Sequence, residues 1–132
     1  MAKINSPTLT LTTVGDNVTV KVTYSVVFDR FERFLVGGGM LFEELIEVVG
    51  VDPPGSVTGR VLTAFGTRVL PVTAGVEPQT ITRNRSIIVT RALLQEDARP
   101  GDVDELRCRI NINPVGMPIQ AAMVTNEKTL EG

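Results

Sequence analysis

Residues 8–14 alternate apolar and polar side chains, Thr-Leu-Thr-Leu-Thr-Thr-Val, and residues 18–28 do so with greater regularity. In the second run Val18, Val20, Val22, Tyr24, Val26 and Phe28 share one parity; Thr19, Lys21, Thr23 and Ser25 share the other. A period of two is the signature of a half-buried strand. Gly15-Asp16-Asn17 between the runs is turn chemistry, so the two segments predict a hairpin or a strand pair across a sandwich.

The period changes over 29–36. Phe31, Phe34 and Leu35 stand at i, i+3 and i+4, which allows one or two helical turns before Gly37-Gly38-Gly39 ends them. Residues 40–51 return to a strand pattern and stop at Asp52-Pro53-Pro54-Gly55. A helix over 40–49 is the alternative, because Glu43, Glu44 and Glu47 tolerate one. The flanking glycines and prolines and the Ile46-Glu47-Val48-Val49 run favour the strand. Short strands are expected at 59–65 and 67–73, and a longer one at 79–92. In that strand Arg83 and Arg85 precede Ile87 and Val89 on the same parity, which a bulge or a change of exposure near Ser86 would explain. After a polar loop at 95–103, Leu106, Cys108, Ile110 and Ile112 point inward, with Arg107, Arg109, Asn111 and Asn113 outward. A last strand, with Ile119, Ala121 and Met123 inward, ends near Thr125, and the tail 126–132 is expected to be loose.

Seven or eight short strands with turn signals between them predict an all-β, two-sheet antiparallel sandwich in a single domain spanning 1–132. The run Asp104-Glu105-Leu106-Arg107-Cys108 resembles the Asp-x-Tyr-x-Cys run with which immunoglobulin-like modules enter a central strand. Leu106 stands where those modules have tyrosine, no cysteine lies in 18–28, and the chain has no Trp. The resemblance implies immunoglobulin-like architecture, and architecture of this kind does not specify a function.

Composition narrows the chemistry. The chain has no His, which removes imidazole general bases, Ser-His-Asp and Cys-His nucleophile systems and the usual zinc sites. Cys108 is the sole cysteine, and on the apolar parity it reads as a core residue rather than a reactive thiol. Tyr24 reads as core for the same reason. A net charge of −2 gives no surplus for a phosphate backbone, so nucleic acid is a poor partner. No run is long and apolar enough for a membrane span, and the first residues lack a signal-peptide pattern, so a soluble, cytoplasmic protein is expected.

Two sets of residues remain as candidates. Asp97, Asp102, Asp104 and Glu105 crowd the 95–105 segment and could supply oxygen ligands to calcium, although Arg99 stands among them and a solvated acidic loop fits as well. Glu43 and Glu47 share one face of their strand, as Arg107 and Arg109 do of theirs. If the strands are neighbours, the four form a charged ladder on an exposed sheet face, which Arg83 and Arg85 could extend. The function expected is a non-enzymatic interaction or structural module without a cofactor. It would bind a protein partner or itself, with a subunit of a phage-like or other bacterial assembly as one concrete form. A calcium-dependent or small-ligand binder is the alternative.

Overall fold

The computed structural model describes residues 2–51, 59–94, 103–115 and 121–131. Nine strands and two helices are present among them, and the strands form two antiparallel sheets. The first sheet has the order β1-β2-β6, with β1 Lys3–Val14, β2 Asn17–Phe28 and β6 Gln79–Thr90. The second contains β3 Phe42–Val51, β4 Gly59–Ala64, β7 Val103–Pro114 and β8 Ala121–Val124 in the order β4-β3-β7-β8. β5 Arg68–Val69 also pairs with β3, and β9 Lys128–Glu131 also pairs with β7. The expected sandwich is therefore the observed one, and its strand order is consistent with the immunoglobulin-like resemblance.

Alternation builds the core. Val18, Val20, Val22, Val26 and Phe28 of β2 meet Phe42, Ile46 and Val48 of β3 and Leu106, Cys108, Ile110 and Ile112 of β7 in one buried cluster. Phe28 and Phe42 pack ring to ring across the layers, 4.9 Å between centroids.

Several sequence expectations change. The segment read as strand rather than helix is a strand from Phe42 to Val51, as favoured. β1 starts at Lys3 rather than residue 8, because a register break between Asn5 and Thr8, with Ser6 at φ 51°, switches parity so that Ile4 and Leu9 both point inward. No bulge occurs near Ser86: β2 and β6 pair without interruption from Asn17↔Thr90 to Phe28↔Gln79. The segment expected as strand 67–73 contributes only Arg68–Val69. Within the tail, Lys128–Glu131 form β9. β8 pairs with Arg109 to Ile112 of β7, and β9 pairs with Val103 to Leu106, burying Leu130. Met123, expected inward, pairs with Ile110 but stays exposed on β8, the outermost strand of its sheet there.

The link from β2 to β3 carries α1, Arg30–Gly37. Its start is fixed by a capping box: Glu32 N–H donates to Asp29 Oδ1 at 2.8 Å, and Asp29 N–H donates to Glu32 Oε1 at 2.9 Å. Glu32 is buried there, which pushes its carboxyl above the usual range. Because Glu32 faces inward, the Phe31–Phe34 face turns to solvent. α2, Arg91–Leu94, follows β6 and buries Leu94.

Candidate functional site

The charged ladder exists in part. β3 and β7 are neighbours, and Glu47 lies opposite Arg109 in register. Arg109 Nη2 reaches Glu47 Oε1 at 2.9 Å, and Asn111 Nδ2 donates to the same oxygen at 3.1 Å. Glu43 faces Asn113, not an arginine, and Arg107 turns to Glu127, with Nη2 2.8 Å from Oε1. Glu47 and Glu127 are thus paired within the protein, as in ordinary surface pairs, while Arg107 Nε and Asn113 Oδ1 are buried without a hydrogen-bond partner among the described residues.

Arg83 and Arg85 do not extend that face. They belong to the other sheet and point between the layers, toward Glu44 of β3. The Glu44 side chain is 0% exposed, the Arg83 side chain 21% and the Arg85 side chain 14%. Arg83 Nε donates to Glu44 Oε2 at 3.1 Å, and Arg85 Nη1 donates to Glu44 Oε1. The Tyr24 hydroxyl donates to Oε2 as well. Burial, reinforced by the Glu44 carboxylate, pushes the Tyr24 phenol upward, so it remains a neutral donor. Arg85 is also anchored by Nη2 to the carbonyl of Gly66 at 3.0 Å, with its guanidinium 5.8 Å from the centre of the Phe65 ring. Sequence reasoning passed over Glu44, although it shares the inward parity of Phe42, Ile46 and Val48.

Cys108 is buried in the core. Burial alone pushes its thiol up to about 12, which makes it inert at neutral pH. Of the calcium candidates, Asp97 and Asp102 lie outside the described residues. Asp104 and Glu105 lie in β7, paired with Leu130 and Thr129, and their side chains are likewise outside what is described. Among the described residues no cluster of three or more His, Cys, Asp or Glu could hold a metal ion.

The end of the sandwich that carries α1 has a different character. Arg33 binds the loop that precedes β6: Nε donates to Thr73 O at 2.8 Å, Nη1 to Glu77 O at 2.6 Å and Nη2 to Ala74 O at 3.0 Å. A side chain on Gly75 would fall against that guanidinium and displace it from these bonds. Helix and loop enclose an open groove of about 760 Å³, with Phe34, Leu35, Met40 and Val76 among its apolar lining. Phe34 is 72% exposed, and Phe31, one turn earlier on the same helix face, is 60% exposed. Sequence reading noticed the Phe31, Phe34 and Leu35 spacing but could not say which way the stripe faces. Comparison with family models, with curated proteins and with solved structures finds no match to this chain.

Proposed function

We propose that this chain is a non-enzymatic building block that associates with a second copy of itself through the α1 end of the sandwich. The observation that carries the reading is the pair of exposed phenylalanines, Phe31 and Phe34, beside an apolar groove on a helix that is firmly capped and clamped. Large exposed aromatic side chains grouped in one place mark interaction surfaces. A two-fold interface places the same patch on both partners, so a patch must complement itself. A ridge of phenylalanine beside a groove of matching chemistry meets that condition. Arg30 and Glu77, both exposed, add opposite charges to the same patch. On the Glu47–Arg109 face, Glu47 already accepts from Arg109 and Asn111, so that carboxylate is engaged within the protein. A subunit of a larger assembly is the setting this reading implies.

Light scattering across a concentration series tests it. Dimers should dominate the wild-type chain as concentration rises, and Phe34→Ser, at a solvent-facing site, should return it to monomer with its melting temperature unchanged. A wild-type chain that stays monomeric at roughly millimolar concentration, a regime that detects even weak association, overturns the proposal.

A further inference from the structure

The open flank of the sandwich, between β6 and β5, carries an imbalance of charge. Glu44 supplies one carboxylate to two guanidiniums, Arg83 and Arg85. Arg68 adds a third, because β5 sets it opposite Glu44 in register. Arg68 and Arg85 both converge on Gly66: Arg85 Nη2 donates to its carbonyl at 3.0 Å, and Arg68 Nη1 lies 3.2 Å from where a Gly66 Cβ would stand. Arg83 donates to Glu44 through Nε and also interacts with the Tyr24 hydroxyl, while its side chain keeps 21% of its surface exposed on this flank. This concentration of positive charge stands out in a chain whose net charge is −2.

The same flank carries a strand edge. Among the described residues β6 pairs only with β2. Its 12 residues contain no proline, no glycine and no break in register. The opposite edge of that sheet, β1, is protected in the ways natural edges are. It has a bulge and Pro7, and Asn126 Oδ1 accepts the Leu9 N–H at 2.9 Å. An edge left regular and lined by guanidiniums is suited to receive an extended segment by backbone pairing, with acidic side chains at alternate positions meeting the arginines. Antiparallel pairing of two copies of β6 centred on Asn84 would set Arg83 against Arg85, like charge against like. Three guanidiniums beside a strand edge suit a peptide rather than a nucleic-acid backbone.

We infer that the β6 edge, with Arg68, Arg83 and Arg85, is a binding site for an extended acidic peptide segment of a partner protein. The site is separate from the α1 end and does not rest on the association proposed there.

The test uses the full chain and a fluorescent peptide of about twelve residues, matched to β6, in which Glu alternates with Thr and Val; the control replaces each Glu by Lys. Anisotropy should report binding of the acidic peptide, not of the control, with affinity falling as salt is raised. Amide exchange in β6 should slow on binding. Arg68→Glu, on an exposed side chain outside the buried cluster, should weaken binding by about tenfold or more, the effect of one charge-assisted contact. Phe34→Ser should leave it unchanged. Equal binding of the two peptides, no binding at roughly millimolar peptide, or indifference to Arg68→Glu overturns the inference. Because Arg68→Glu does not touch Glu44, the outcome does not depend on whether variants of Arg83 fold.

Discussion

Replacing Glu44 by alanine should be among the most damaging single changes available to this protein. The carboxylate is fully buried and accepts hydrogen bonds from Tyr24, Arg83 and Arg85. Its removal strands two largely buried guanidiniums beside a buried hydroxyl. Breaking a buried ion pair from one side costs about 3–5 kcal/mol, because the remaining charge keeps its desolvation penalty and loses its partner. Total stability for a domain is about 5–15 kcal/mol, so a large fraction would be lost. In urea, at about 2 kcal/mol per molar, the midpoint should fall by about 2 M. Tyr24→Phe removes one hydrogen bond to a charged acceptor and should cost about 1.5–3 kcal/mol. In the Glu44→Ala background the same change should cost much less, since its acceptor is already gone, and a double-mutant cycle measures that coupling. Replacing the whole cluster, with Glu44→Leu, Arg83→Met, Arg85→Met and Tyr24→Phe together, should recover most of the loss. A Glu44→Ala loss below about 1 kcal/mol would refute the reasoning, since that is the scale of a solvent-screened surface pair.

Two further outcomes follow from the buried groups and the helix start. Burial pushes the Cys108 thiol up to about 12 from its ordinary 9.0, and burial, reinforced by Glu44, raises the Tyr24 phenol above its ordinary 10.0. Unfolded chains release these protons first, so the stability they contribute is complete below about pH 9 and declines as pH rises toward the folded value. Urea midpoints measured between about pH 8 and pH 11 should fall with pH, and Cys108→Ala should flatten the decline; a midpoint that holds across the range contradicts this. Asp29→Ala removes half of the capping box and should cost about 1 kcal/mol, read from the thermal midpoint.

Much of the fold was legible because two-residue periodicity reports burial directly. β2 presents one inward parity from Val18 to Phe28, and β3 does so from Phe42 to Val48, before the register shift at Val48/Val49. β1 was read short because Pro7 hides a strand whose parity reverses at Ser6. β9 was missed because its sequence, Lys-Thr-Leu-Glu, has one apolar residue and no period to detect. What orders it is remote: β7 is 12 residues long, β8 covers four of them, and the uncovered stretch takes up the tail as a second partner.

The Glu44 cluster left a trace that only becomes readable when strands are compared. Tyr24 interrupts the valines of β2, Glu44 interrupts Phe42, Ile46 and Val48 in β3, and Arg83 and Arg85 separate Ile81 from Ile87 in β6. Each departure taken singly reads as a local irregularity, and the Arg83–Arg85 one suggested a bulge or a change of exposure. Taken together they are one acceptor, one neutral donor and two cations, all on inward parity. Charged side chains are rarely buried without partners, so groups on facing strands must find each other across the interlayer space. Such matching ties β3 to β2 and β6 across the interlayer space, but it does not balance the charge. Two guanidiniums meet one carboxylate, and the excess falls on β6, the strand whose outer edge takes no partner among the described residues. The polar group that specifies the packing of the two sheets is in this way also the one that leaves positive charge where a further strand could be received.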